Sequence, residues 1–130
     1  MARTRILYVE DNAANLALVR KVLEHGGRYE VEGAATGEDG LEQALAEPPA
    51  LILLDLDLPG IDGFELARRL RASPRTATIP LVAISASVMK HEREQALASG
   101  CARFIEKPFD IAELRAVVEH ALRTPTSPGA

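Results

Sequence analysis

Short apolar runs alternate with longer amphipathic segments along the 130-residue chain, and this alternation constrains the fold most strongly. The apolar runs occupy residues 6–9, 29–34, 51–54, 81–84 and 103–105. A strand that is apolar on both faces has to be covered on both sides, and βαβ units provide that cover. Five strand–helix pairs therefore predict a parallel sheet with helices on both faces.

The segments between the apolar runs carry start and stop signals for helices. In the first segment, Leu16, Val19 and Leu23 recur at helical spacing, and the sequence His-Gly-Gly at 25–27 supplies a stop. Three later pairs have the spacing of an N-cap and the third helical residue: Thr36 with Asp39, Asp62 with Glu65, and Asp110 with Glu113. These pairs predict helices to about residues 46 and 71 and a last helix from 110, and another is expected over 88–99.

Chain length and charge limit the class of protein. A chain of 130 residues is the size of one domain, which we expect to span residues 1–123, with a flexible tail at 124–130. Fifteen Lys and Arg against nineteen Asp and Glu give a net charge of -4, which argues against nucleic-acid binding. We interpret the basic patch of Arg68, Arg69, Arg71 and Arg75 as a solvated helix face, with partner contact as the alternative.

Cysteine content and hydropathy indicate a cytoplasmic protein. Cys101 is the single cysteine, which excludes an internal disulfide and a multi-cysteine metal site and fits a reducing compartment. We expect its side chain to be small and buried. The N-terminal apolar run is too short for a signal peptide, and no apolar stretch is long enough to span a bilayer. We therefore expect no membrane insertion.

Polar residues follow the apolar runs where a ligand site is expected. In an open parallel sheet, ligands bind beyond the carboxyl ends of the strands. Glu10 and Asp11 follow the first run, Asp55 the third, Ser85 the fourth and Lys107 the fifth. Each alone could cap a helix, but three carboxylates at one edge repel one another unless cations offset them. Oxygen ligands of this kind suit Mg²⁺, and an aspartyl carboxylate can accept a phosphoryl group.

Four segments, in order, carry a family resemblance: YVEDN at 8–12, LILLDLDLPGIDGFEL at 51–66, LVAISA at 81–86 and FIEKPF at 104–109. From about residue 3 to about residue 122 the chain resembles the receiver domain of two-component response regulators. The resemblance implies an α/β, flavodoxin-like (βα)5 fold, a doubly wound five-stranded parallel sheet in the order 2-1-3-4-5. The segment 86–109 resembles single-domain regulators of cell-cycle phosphorelays and receivers of hybrid kinases, so we expect a stand-alone receiver.

The resemblance implies roles for the residues that would bind the phosphoryl group and the metal. Asp55 would be the phosphoacceptor. Glu10, Asp11, Asp55 and the main-chain carbonyl of Asp57 would hold Mg²⁺, with Mn²⁺ as a substitute. Lys107 would pair with the phosphoryl oxygens.

Other matching positions would act as switch and tuning residues. Ser85 would move to bond the phosphoryl group, and Phe104 would turn inward behind it. A cis peptide bond between Lys107 and Pro108 would aim the lysine. Asp57 and Ser87 lie two residues past the acceptor and past the hydroxyl position, and would influence hydrolysis. As a hypothesis, the anionic Asp57 alters the decay of the phosphorylated form, and equal decay in Asp57→Asn would remove this idea.

The implied function is a signalling switch rather than a turnover enzyme. A histidine kinase or histidine phosphotransfer protein would donate the phosphoryl group to Asp55 in a Mg²⁺-dependent step. The only chemistry expected is self-catalysed phosphotransfer and slow autodephosphorylation. A downstream protein partner would then bind the face of the predicted fourth helix, fifth strand and fifth helix. A homodimer through this face is left open.

Two alternative functions are compatible with parts of this pattern. An apolar strand followed by Asp-x-Asp is also the first motif of haloacid-dehalogenase-type phosphatases. Those enzymes are longer chains with this motif near the N-terminus, whereas here the motif follows the third predicted strand. A pseudo-receiver would keep the fold and bind partners regardless of phosphorylation. Asp55, Ser85, Lys107 and the acidic pair argue against this second alternative.

Overall fold

The computed structural model describes residues 3–58, 60–85, 94–95, 97–98, 101, 103–107 and 109–123. The strands are β1 (Thr4–Val9), β2 (Tyr29–Ala34), β3 (Leu51–Asp55), β4 (Leu81–Ser85) and β5 (Arg103–Glu106). The helices with full bounds in this part are α1 (Ala13–Glu24), α2 (Gly37–Ala46), α3 (Gly63–Ala72) and a C-terminal helix (Ile111–Arg123). Residues 94–95 and 97–98 of the predicted fourth helix are helical, and its other positions lie outside the described residues.

The five strands form one parallel sheet in the order β2-β1-β3-β4-β5, which confirms the predicted topology. The register aligns the carboxyl ends of the three central strands. Val9 pairs with Leu54, and Asp55 pairs with Ile84. Ser85 pairs with Glu106 of β5. Residues that follow these strands are therefore brought to one edge of the sheet.

Helices cover both faces of the sheet, because side chains alternate between the faces along each strand. On one face, Leu7 and Val9 of β1 pack in a core with α2 and α3. On the other, Ile6 and Tyr8 pack with α1 and the C-terminal helix. Every residue of β3 and β4 is buried, as expected for central strands.

The predicted helix caps are confirmed. Thr36 accepts a hydrogen bond from the amide of Asp39 at 3.0 Å, and Asp62 accepts from Glu65 at 2.9 Å. Asp110 accepts from the amide of Glu113 at 2.6 Å at the start of the C-terminal helix. Asn12 caps α1 in the same way, accepting from the amide of Asn15 at 3.0 Å. These bonds satisfy amides that have no partner within the helix.

The interpretation of the arginine patch as a solvated face is wrong for Arg71, whereas Arg68, Arg69 and Arg75 are exposed. Arg68 and Arg69 are exposed and pair with Glu65 on the same helix, as predicted. Arg71 is half-buried and donates to the carbonyls of Thr76, Ala77 and Ile79 at 3.5, 3.0 and 2.7 Å. Arg75 donates to the carbonyl of Leu45 at 2.6 Å. These two guanidinium groups bind backbone carbonyls that the sequence gives no means of locating.

Cys101 is buried, as predicted for a small apolar residue. Among the described residues, no helix is long and apolar enough to cross a bilayer. The proposed tail at 124–130 lies outside the described residues.

Candidate functional site

The predicted site residues meet at the carboxyl edge of the sheet. Glu10 follows β1, Asp55 ends β3, Ser85 ends β4 and Lys107 follows β5. The side chains of the first three are buried: Glu10 is 2% exposed, Asp55 4% and Ser85 0%. Asp11 is exposed, so the pocket that these residues form has an acidic residue at its solvent side.

Three carboxylates in this pocket are close enough to hold one cation. One oxygen from each of Glu10, Asp11 and Asp55 lies within 4.8 Å of the others. The second oxygen of Glu10, Oε2, is buried and has no hydrogen-bond partner among the described residues. A buried polar oxygen without a partner is costly unless it binds a cation. The oxygen donors and the unsatisfied atom therefore fit a hard divalent ion such as Mg²⁺.

Lys107 places a positive charge between two of the carboxylates. Its ammonium donates to Asp55 Oδ2 at 3.1 Å and to Glu10 Oε1 at 3.3 Å. Burial alone would lower the pKa of Lys107, but the hydrogen bond and charge of Asp55, with those of Glu10, outweigh burial and raise it. The lysine is therefore a permanent cation in the pocket at neutral pH.

The two buried carboxyl groups differ in their affinity for protons. Burial, followed by a hydrogen bond with Asp55, raises the pKa of Glu10 to about 7. Burial also acts to raise the pKa of Asp55, but hydrogen bonds with Glu10, with the Asp57 amide and with Lys107 together lower it. Asp55 is thus the group that stays ionised, as a nucleophilic carboxylate has to be.

The loop after β3 orients the Asp55 carboxylate. The amide of Asp57 donates to Asp55 Oδ1 at 2.9 Å. The side chain of Asp57 contacts the end of β4, where its Oδ2 accepts a hydrogen bond from the Ser85 hydroxyl at 3.3 Å. Gly63 at the start of α3 permits this loop: a Cβ there would lie 2.7 Å from the carbonyl oxygen of Asp55. Only glycine lets α3 approach the end of β3 so closely.

Sequence reasoning missed two residues of the pocket. Asn15 donates from Nδ2 to Glu10 Oε1 at 2.6 Å, and Gly63 provides the close approach just described. The Asn12 cap was a usable signal for Asn15, because it fixes the start of α1 and puts residue 15 in its first turn.

Phe104 is half-buried against the core shared with α2 and α3. Ser87 and Pro108, predicted to tune hydrolysis and to follow a cis bond, lie outside the described residues.

Comparison with known proteins decides the family. Residues 6–119 match the response regulator receiver domain family. The chain belongs to this family. Membership in this family excludes the alternative of a haloacid-dehalogenase-type phosphatase, and the observed sheet order agrees with it.

Individual receivers are similar to this chain over most of its length. The polar-differentiation response regulator DivK of Brucella ovis is 34% identical over 106 residues, or 82% of this chain and 85% of DivK. The DNA-binding dual master transcriptional regulator RpaA of Synechocystis is 40% identical over 119 residues, or 92% of this chain. The alignment spans only 49% of RpaA, so this receiver matches about half of that relative.

A solved receiver structure has the same fold and a metal in its site. It is the receiver domain of a sensor histidine kinase from Pseudomonas aeruginosa PAO1, with a magnesium ion coordinated in the active-site cleft. The TM-score is 0.87 at 31% identity, and the match covers 95% of this chain and 100% of that one.

Proposed function

We propose that this receiver accepts a phosphoryl group on Asp55 in a reaction that depends on a divalent metal, and that phosphorylation changes its affinity for a protein partner. The observation that carries the proposal is the setting of the Asp55 carboxylate. One oxygen accepts from the Asp57 amide and the other from Lys107, while Glu10 and Asp11 lie within metal-binding reach.

The chemistry follows from the charges in the pocket. With a phosphohistidine donor, an Asp55 oxygen attacks phosphorus, a P–O bond forms and the P–N bond breaks. The imidazole leaves with the electron pair and takes up a proton. Lys107 offsets charge on the phosphoryl oxygens. A divalent ion held by Glu10, Asp11, Asp55 and the main-chain carbonyl of Asp57 would add further charge neutralisation, with Mg²⁺ the expected ion and Mn²⁺ a substitute.

We expect the pocket to act as a switch that accepts one phosphoryl group, and not as an enzyme that turns over a substrate. The pocket supplies one nucleophilic carboxylate and positions it, and positioning is most of what phosphoryl transfer needs. We expect self-catalysed transfer and slow loss of the group, without turnover of a separate substrate. A phosphorylated Asp55 carries nearly two negative charges and new acceptor oxygens, which bias neighbouring groups such as Ser85.

We place the docking of the phosphodonor protein in a groove between α1 and the C-terminal helix. The groove has a volume of about 270 Å³ and is lined by Leu18, Lys21, Val22, His25, Ile111 and Arg115. Leu18 is 52% exposed and Ile111 55%, so two large apolar side chains face solvent together. The two helices that form its walls start at Ala13 and Ile111, which follow Asp11 and Lys107 closely in the sequence. A protein that extends along these helices from the groove to their starts would bring a histidine towards the pocket. We propose a histidine kinase or histidine phosphotransfer protein as the occupant.

The downstream partner is proposed to bind the face formed by β5 and the C-terminal helix, together with the predicted fourth helix. A homodimer through the same face stays a prediction.

Incubation with a small phosphodonor and Mg²⁺ tests the proposed function, with Asp55→Asn as the control. We expect one phosphoryl group per chain, no labelling without a divalent ion, and none in the variant. The phosphoryl mimic BeF₃⁻ should bind the wild type and not Asp55→Asn. Labelling of the variant at the wild-type level, or steady release of phosphate from a phosphomonoester, would overturn the proposal.

A further inference from the structure

The Ser85 hydroxyl and the Asp57 carboxylate form a contact that the transfer chemistry does not use. Ser85 Oγ donates to Asp57 Oδ2 at 3.3 Å. Ser85 is fully buried at the end of β4, whereas Asp57 is exposed in the loop after β3. The backbone amide of Asp57 also donates a hydrogen bond to Oδ1 of Asp55, the proposed phosphoacceptor. Asp57 is therefore hydrogen-bonded both to the Asp55 carboxylate and to the Ser85 hydroxyl.

A serine hydroxyl carries one proton and donates one hydrogen bond at a time. A hydrogen bond to an ionised carboxylate is stronger than one to a neutral acceptor. In the unphosphorylated protein, Asp57 Oδ2 accepts the hydrogen bond from Ser85. Once Asp55 carries a phosphoryl group, the phosphoryl oxygens become alternative acceptors for the Ser85 hydroxyl proton. Ser85 has to leave one acceptor before it can donate to the other.

We propose that Asp57 is a positioning residue that holds the Ser85 hydroxyl in the unphosphorylated state and so opposes the shift of Ser85 to the phosphoryl group. This inference rests on the proposed function, because it needs a phosphoryl group at Asp55. The bond exists in only one of the two states, so it biases the equilibrium between them. A chain that lacks the Asp57 acceptor should reach the phosphoryl-bound state more easily.

The charge of Asp57 gives a second reason for the same trend, and the two causes have to be separated. A carboxylate near a phosphoryl group repels it whether or not Ser85 is present. The hydrogen bond acts only when both partners are present. A double-mutant cycle measures the part of an effect that depends on both residues. Asp57→Ala and Ser85→Ala, alone and combined, form this cycle.

The readout is the affinity for BeF₃⁻ at saturating Mg²⁺, with Mg²⁺ affinity measured separately for each variant to establish saturation. We expect Asp57→Ala to bind BeF₃⁻ about fivefold more tightly than the wild type, the equivalent of one net hydrogen bond. Asp57→Asn, which loses the charge but keeps a neutral acceptor, should lie between them. In the Ser85→Ala background the gain from Asp57→Ala should fall to less than about twofold.

An equal gain from Asp57→Ala in both backgrounds would overturn the proposal, since Asp57 would then act by charge alone. No gain in the Ser85-containing protein would overturn it as well. Either result leaves the proposed function intact as long as the wild type binds BeF₃⁻ and Asp55→Asn does not. Failure of the wild type to bind BeF₃⁻ would instead remove the proposed function, and the role of Asp57 with it.

Discussion

The ammonium of Lys107 lies 3.1 Å from Oδ2 of Asp55, although the two residues are 52 positions apart in the sequence. Asp55 ends β3 and Lys107 follows β5, and β4 lies between these two strands, so the lysine reaches across one strand of the sheet. Their side chains are 21% and 5% exposed, so water screens this ion pair less than one on the surface. The Asp55 carboxylate and its counter-charge are thus brought together by the order of the strands in the sheet.

Removing this counter-charge should slow phosphoryl acceptance. Lys107→Ala leaves Asp55 without one of the groups that lower its pKa and removes a donor for the phosphoryl oxygens. We expect the rate with a small phosphodonor to fall by roughly 100-fold, the usual effect of losing one such donor. Arg68→Ala, which removes an exposed cation on α3, is the matched control and should react at the wild-type rate. An unchanged rate in Lys107→Ala would contradict the role of the lysine.

The fold could be predicted from the sequence because each strand and cap signal is local. The Thr36, Asp62 and Asp110 caps lie where their spacing places them. The assembly of Glu10 and Asp55 at one edge followed from the rule for parallel sheets. The hydrogen bonds of Asn15 to Glu10 and of Arg71 to three carbonyls could not be predicted, because they depend on the directions of side chains and the paths of loops. The contact between Asp57 and Ser85 is of the same kind.

Binding of the divalent ion should weaken as pH falls. A carboxylate has to be deprotonated to bind a metal, and burial, followed by the hydrogen bond with Asp55, raises the pKa of Glu10 to about 7. Protons therefore compete with the ion below that pH. We expect Mg²⁺ affinity by calorimetry to be roughly tenfold weaker at about pH 6 than at about pH 8. Glu10→Gln should bind more weakly and lose most of this dependence, and an equally steep pH profile in that variant would assign the effect to another group.

The groove between α1 and the C-terminal helix should matter for protein donors only. Leu18→Ala removes an exposed apolar side chain from the groove. Transfer from the histidine kinase or phosphotransfer protein that labels the wild type fastest should slow roughly tenfold. Labelling by a small phosphodonor should not change.

Leu97 is a matched control for this experiment, because it is 50% exposed and does not line the groove. Leu97→Ala should receive the phosphoryl group from the protein donor at the wild-type rate. Equal slowing in the two variants, or no slowing in Leu18→Ala, would place the donor elsewhere on the surface.

Arg71 and Arg68 should differ sharply in their effect on stability. The half-buried Arg71 guanidinium satisfies carbonyls of the segment between α3 and β4. Arg71→Ala should lower the free energy of unfolding by about 2 kcal/mol. Arg68→Ala removes only a surface ion pair with Glu65 and should cost less than about 0.5 kcal/mol. Urea denaturation of the three proteins measures this difference, and similar losses would show that the carbonyl bonds contribute little.

We expect one carboxylate, that of Asp55, to become the acyl phosphate. Borohydride reduces an acyl phosphate and leaves other carboxyl groups unchanged, so peptide mapping after phosphorylation and reduction locates the acceptor. We predict reduction at residue 55, dependent on Mg²⁺, with Glu10, Asp11 and Asp57 unmodified. Reduction at one of those three residues, or none after full exposure to every donor tried, would contradict this prediction.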